Sequence, residues 1–288
     1  MSNSIIQWYP GHIAKAEKEL RKNLEKVDLI IEVRDARIPL ATSHPHLDKW
    51  INGKKHLLVI NRRDMICNDA LKDWDEWLRS KGQQPWWCDA KNGTGVKQLQ
   101  NAAIRAGNEL NDRRQSRGMK NRPVRALTLG FPNVGKSALI NRLVRKRAVA
   151  SSRRAGVTRS LQWVRVGQSL DLLDAPGVLP PRLDDQESAL LLALCDDIGQ
   201  AAYDIELIAI SFLNKLRDFV AINNSGVSAD LLKQRYGIPF MQKNSDPYQW
   251  LTTAADQHTS SNTQRMAQRL IDDFRKSMLG LISLELPK

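Results

Sequence analysis

Cysteine is scarce in this chain of 288 residues: Cys67, Cys88 and Cys195 stand far apart, with no Cys-x-x-Cys pair and no clustered histidine. That spacing speaks against a disulfide framework or a zinc module and fits a reducing compartment. Long apolar runs are missing too. None approaches the roughly 20 residues a membrane helix needs, so no membrane partner is expected. The opening MSNSIIQWYPGH has neither the basic-then-apolar layout of a secretory signal nor the Arg/Ser-rich layout of an organellar one, and the expected location is cytoplasmic. Acid is absent locally. Residues 113–170 hold 15 Lys or Arg and no Asp or Glu, whereas residues 200–288 carry 10 basic and 9 acidic side chains. A net charge of +13 concentrated in this way attracts polyanions. The plainer alternative is a solubilising surface.

What is present reads as two kinds of chain. Ile13, Ala16, Leu20 and Leu24 share one face of a helix over 13–26. Val27, Leu29, Ile30, Ile31 and Val33 predict a buried strand, and Leu57 to Ile60 a second. Residues 69–81 predict a helix with Asp69 as its cap. A short strand over Trp86 to Cys88 and a helix from Val96 to Leu110 follow. After a basic connecting loop, 111–123, come a strand in RALTLG, a helix in KSALINRLVRKR, and a strand pair in LQWVRV and LDLLD. Short apolar strands alternating with helices imply an α/β fold, a parallel-rich sheet covered by helices on both faces. From about residue 184 every apolar pattern is helical, ending in TQRMAQRLIDDFRKSMLGLI. The expected domains are 1–183 and an all-α domain over 184–288.

The strongest motif is GFPNVGKS, in which Gly130, Gly135, Lys136 and Ser137 match G-x-x-x-x-G-K-[ST] between a strand and a helix. Its backbone from Gly130 through Asn133, Val134 and Gly135 to Ala138 is suited to curl around phosphates. The helix N-terminus adds partial positive charge, Lys136 pairs the terminal phosphates and Ser137 suits Mg²⁺. LDLLDAPG places Asp174 at a strand end, where it can hold Mg²⁺ through water, and Gly177 just beyond, where its N–H can meet a γ-phosphate. Between them, AGVTRS offers Thr158 as a further Mg²⁺ ligand in a segment that would order only with the γ-phosphate present.

Base choice rests on two earlier loops. VINRRD supplies Asn61 and Asp64, the carboxylate matching the paired N1–H and N2–H₂ donors that guanine has and adenine lacks. CDAKNGTG supplies Ala90 and Lys91, where a backbone N–H can meet guanine O6. The guanine motifs thus precede the phosphate motifs, the order of circularly permuted GTPases; compact domains tolerate such permutation because their termini often lie close together. Two departures stand out. Arg62 occupies the usual lysine position of N-K-x-D, and Asp89 the serine position of S-A-K; guanidinium and ammonium are not interchangeable.

WYPGHIAKA at 8–16, VDLIIEVRDARIPL at 27–40, GFPNVGKSALINRL at 130–143 and AGVTRSLQW at 155–163 together resemble the ribosome biogenesis GTPase A family. DDFRKSMLGLISLE resembles its closing helix, so the likeness spans nearly the whole chain. The resemblance implies a GTPase whose partners are GTP or GDP and the large ribosomal subunit with its rRNA; off the ribosome a monomer is expected. It assigns RNA contact to both domains, although the C-terminal one is nearly neutral here, which leaves the basic stretch of the first as the main source of phosphate attraction. Where many GTPases carry a water-orienting glutamine, this chain has Val178. The resemblance makes His12 the catalytic candidate instead, against the plainer reading that it packs a turn beside Pro10 and Gly11. It also makes Asn133 the support of an activating K⁺ ion. Two rival readings remain: an RNA-binding scaffold that scarcely hydrolyses its nucleotide, and a GTPase acting on the small subunit or on tRNA.

Overall fold

The computed structural model describes residues 20–146, 148–149, 161–177, 185–240 and 245–287. They fall into two compact units. Among the described residues, one comprises 20–63 with 77–177, and the other comprises Asp64–Glu76 with 185–287.

The first unit is built on six strands: β1 (Leu29–Asp35), β2 (Lys55–Asn61), β3 (Pro85–Trp87), β4 (Val124–Leu129), β5 (Gln162–Val166) and β6 (Leu170–Asp174). They form one sheet in the order β3-β2-β1-β4-β6-β5. Every neighbouring pair is parallel except β5 with β6. β1 has all seven residues buried, as a strand flanked on both edges and both faces requires. On one face Ile30, Leu127, Leu129 and Leu173 pack with Leu20, Val27, Leu47 and Trp50. These last come from the helical residues 20–24, the segment beyond them, and α1 (Leu47–Ile51). The other face meets α3 (Val96–Gln115) and α4 (Lys136–Val144). Gly107 lets α3 approach closely: a Cβ there would lie 2.2 Å from a Val124 methyl.

Among the helix ends that differ from the sequence reading, three show their physical cause. α2 (Asn68–Ser80) starts one residue early, so Asp69 sits in the first turn, favourable to the helix dipole, instead of capping it. α3 continues five residues past Leu110, with Arg113 and Arg114 in its last turn beside the exposed carbonyls, and the connecting loop begins only at Ser116. The last helix, α9 (Thr263–Arg275), stops well before 282. Ser277 adopts φ 57°, and the chain turns back with Met278 N–H on the Asp273 carbonyl at 2.8 Å.

In the second unit α5 (Gln186–Leu194), α6 (Ile205–Phe219), α7 (Leu231–Tyr236), α8 (Pro247–His258) and α9 carry the fold, and no strand follows Asp174 among the described residues. Asp185, Asp204, Asp246 and Asn262 cap α5, α6, α8 and α9 by accepting backbone N–H bonds. Phe212 of α6 meets Phe274 of α9 with ring centroids 4.8 Å apart. Arg275 donates to the Ala193 and Leu194 carbonyls at the end of α5, at 2.7 and 3.0 Å. Residues 64–76 join this unit through side chains: Trp74 Nε1 donates to the Glu285 carbonyl, and Asn224 donates to Asp73. No described helix is long and apolar enough to cross a membrane.

Candidate nucleotide-binding site

Ligands of parallel α/β sheets bind outside the carboxyl ends of the strands, where the strand order reverses. Here the order runs outward from β1 through β2 to β3, and outward from β4 through β6 to β5, so the reversal lies between β1 and β4. All the described motifs follow strand ends at that edge: Asn61 closes β2, Asp89 and Ala90 follow β3, Gly130 follows β4, and Asp174 closes β6.

The phosphate loop is tightly drawn. A Cβ on Gly130 would lie 2.3 Å from the Val33 carbonyl of β1, and one on Gly135 would lie 2.2 Å from the Asn61 side-chain nitrogen. Gly135 has φ 98° and Asn133 φ 56°, so the loop turns in left-handed conformations before α4 begins. Lys136 is buried, its ammonium folded back onto the Gly130 and Phe131 carbonyls at 3.2 and 2.6 Å. Ala138 sits half-buried in the first turn of α4. Gly177 lies against the loop as well: a Cβ there would come within 2.4 Å of the Pro132 nitrogen. The Gly177 backbone therefore lies directly against the phosphate loop, and only glycine fits at 177.

Ser137 donates its hydroxyl to Asp174 Oδ2 at 3.2 Å. Asp174 is 1% exposed, and its Oδ1 has no hydrogen-bond partner among the described residues; the same holds for Thr128 Oγ1 on the paired position of β4. Burial pushes the Asp174 carboxyl above the usual carboxylate range, against the Lys136 charge and the Ser137 hydroxyl. A buried carboxylate oxygen left without a partner, beside a hydroxyl and the phosphate loop, fits a hydrated Mg²⁺ bound with phosphates.

The guanine side is joined to this loop by Asn61, which is 2% exposed. Its amide donates to the Val134 carbonyl at 2.9 Å and its oxygen accepts from Ala90 N–H at 3.1 Å. Arg62, at φ 61°, turns its guanidinium to the Asn133 carbonyl and to Asp35, 3.5 Å away. Asp35 is fully buried and chelated by Arg37 through two side-chain bonds of 3.0 and 2.7 Å. Burial opposes its ionisation, yet Arg37 and Arg62 hold its carboxyl below the usual range. Asp89 accepts from Lys91 N–H, Asn92 N–H and the Asn92 amide at 2.8, 3.0 and 2.6 Å, so a carboxylate organises the loop where the pattern expects a hydroxyl. Asp64 lies exposed in a single 3₁₀ turn, Arg63–Met65, directly after β2, and Lys91 is exposed after β3.

A family profile described as "50S ribosome-binding GTPase" matches residues 125–224. A protein named ribosome biogenesis GTPase A from Bacillus cereus is 37% identical over 214 residues, 73% of this chain and 72% of its own. Its namesake from Bacillus pumilus is 30% identical over 287 residues, 98% of this chain and 99% of its own. This chain belongs to the ribosome biogenesis GTPase A family. It is a GTPase. The solved GNP-bound YlqF from T. maritima has the same fold, with a TM-score of 0.62 over 95% of this chain and 99% of that one, at 23% identity.

For a ribosome biogenesis GTPase A, the geometry adds three residues that the motifs did not name. Arg142 of α4 donates to the Ala90 and Lys91 carbonyls, fastening the guanine loop from the phosphate-loop helix. Asp35 and Arg37 fasten Arg62 from below. An arginine one turn from a helix end reads as a solvated charge in sequence, and nothing in its spacing announces the contact. His12, Thr158 and Val178 lie outside the described residues.

Proposed function

We propose that this GTPase acts on the precursor of the large ribosomal subunit and hydrolyses GTP there during late assembly. The observation that carries the reading is likeness to a ribosome biogenesis GTPase A along 98% of the chain. The acid-free stretch from 113 to 170 supports rRNA as the surface recognised.

In this reading Asp64 accepts the guanine donors, Ala90 N–H meets O6, and Arg62 and Lys91 flank the base. Gly130 to Ala138 and the N-terminus of α4 hold the phosphates with Lys136, and the Gly177 N–H reaches the γ-phosphate. Ser137, Asp174 and Thr158 are the residues that would hold Mg²⁺, which when bound neutralises phosphate charge. His12 orients the attacking water. Its oxygen bonds to the γ-phosphorus as the bond to the β–γ bridging oxygen breaks, giving GDP and phosphate. Asn133 would support K⁺, adding positive charge where the leaving oxygen develops negative charge. Residues 1–183 are the GTPase domain and 184–288 the ribosome-facing partner domain of a cytoplasmic protein that is monomeric off the ribosome.

The test is GTP and ATP turnover with and without purified large subunits, in K⁺ and in Na⁺. The expected result is GTP-selective turnover accelerated by large subunits and further by K⁺. Equal stimulation by small subunits, or none by large ones, overturns the reading.

A further inference from the structure

Outside the nucleotide site, one corner of the sheet combines an exposed aromatic with cations. Trp163 of β5 is 43% exposed, high for a tryptophan on a sheet face. The Arg125 guanidinium of β4 lies over its ring, 5.8 Å from the centroid. The register explains how they meet. Arg125 pairs with Asp171 of β6, Asp171 with Arg165 of β5, and Trp163 stands two residues before Arg165, so all four share one face. Arg165 is ion-paired to Asp171 at 2.9 Å while its own side chain stays 68% exposed. Arg125 donates its backbone N–H to the Asp28 carboxylate at 3.0 Å, while its guanidinium has no ion pair among the described residues. The apolar neighbours on this face, Leu127 and Leu173, are covered by the helical segment at residue 20 and by α1; Trp163 is not. β5 is the outer strand of the sheet.

From this geometry we infer that the Trp163–Arg125 corner is a stacking platform for an unpaired RNA base, with Arg125 and Arg165 facing the flanking phosphates. The inference rests on the reading of RNA as this protein's partner and assigns it a surface. Flat aromatics on a sheet face, bordered by cations, take single-stranded bases because every base offers a π-face, while a duplex keeps its bases stacked on one another. Charge decides between RNA and a protein partner. The platform lies within or beside the segment free of acid, and the carboxylates beside it among the described residues are already engaged, Asp171 by Arg165 and Asp28 by Arg122. A partner peptide would gain little from two guanidinium groups unless strongly acidic, whereas each nucleotide brings a phosphate with its base.

The experiment measures binding of the full-length protein to a fluorescein-labelled ten-nucleotide oligoadenylate and to a duplex of equal length, at several salt concentrations. Wild type, Trp163→Ala, Trp163→Phe and Arg125→Ala are compared. Basal GTP turnover and thermal melting of each serve as folding controls. Loss of one base–aromatic stack weakens single-strand binding by about 5- to 150-fold in Trp163→Ala. Trp163→Phe recovers most of it, and Arg125→Ala lowers the salt slope by about one. Duplex binding changes by less than twofold. Unchanged single-strand affinity in a folded Trp163→Ala overturns the platform, as does preference of the wild type for duplex or failure to bind the single strand. Subunit-stimulated turnover is measured in parallel. If it persists while the platform fails, the ribosomal reading stands without it; if the wild type shows no stimulation, that reading itself has failed.

Discussion

Removing the Asn61 amide tests whether the two halves of the nucleotide site are fastened by this one side chain. Asn61→Ala deletes the bond to the Val134 carbonyl at 2.9 Å and the bond from Ala90 N–H at 3.1 Å. Val134 and Ala90 are 0% and 7% exposed, so both backbone groups are left without solvent. A buried polar group stripped of its partner costs about 1–3 kcal/mol, giving about 2–6 kcal/mol for the pair. One water filling the vacated amide volume brings the loss toward the lower end, about 2–3 kcal/mol. Expressed as affinity, 2 kcal/mol is roughly thirtyfold. The staple ties the guanine loop to the phosphate loop without touching a γ-phosphate, so GDP and GTP weaken together and their ratio is preserved. Asn61→Asp keeps the acceptor for Ala90 N–H but turns a carboxylate oxygen toward the Val134 carbonyl, and loses at least as much. Equilibrium titration with a fluorescent GDP and a fluorescent non-hydrolysable GTP analogue measures this, alongside urea unfolding of the nucleotide-free protein. GDP affinity within twofold of wild type, with stability unchanged, would refute the reasoning.

Gly177→Ala places a methyl about where the Pro132 backbone already is; the two loops separate, and binding of a GTP analogue falls more than binding of GDP, read in the same titration. His12→Ala slows turnover while GTP affinity stays near normal; a large loss of affinity in place of rate points to a packing role. Alanine at Arg145, Lys146 and Arg147 weakens large-subunit binding and flattens its salt dependence by up to about three phosphate contacts, seen as sedimentation across a salt series. The fourth concerns pH. Glu32 is buried; burial opposes its charge, but His56 and Arg34 hold its pKa below 4.5. A lowered carboxylate pKa gives stability that is present above 4.5 and is lost as pH falls through the folded value. Glu32→Gln therefore flattens the acid limb of a urea-midpoint profile below about pH 5, and an unaltered limb contradicts the assignment.

The strands and motifs were legible because burial and loop chemistry leave local signatures. LIIEVRD is apolar enough to announce a central strand, and a glycine-rich loop between strand and helix admits few readings. Helix ends were less legible. Asn111–Gln115 carries no apolar stripe, so nothing local distinguishes the last turn of α3 from loop; and a serine at 277 gives no warning of a left-handed stop. The supports of the site were the least legible. Asp89 looked like the loss of a hydroxyl, and only the fold reveals three donors converging on its carboxylate. Arg142 and Asp35 work across 51 residues or more and across 27 residues of chain, respectively, to Lys91 and Arg62. Distances of that kind are set by how strands are ordered in the sheet, which no short stretch of sequence encodes.

That ordering has a consequence for the birth of the protein. β1 is hydrogen-bonded on one side to β2, made soon after it, and on the other to β4, which begins 89 residues after β1 has ended. A chain emerging amino end first folds its early strands before the late ones exist. During that interval a strand that ends up buried along its whole length presents a bare hydrogen-bonding margin, the kind that zips to other chains. Nor can nucleotide shelter the intermediate, since the lysine that grips phosphate has yet to be translated. A protein whose base-reading loops come first must therefore survive its own synthesis unliganded.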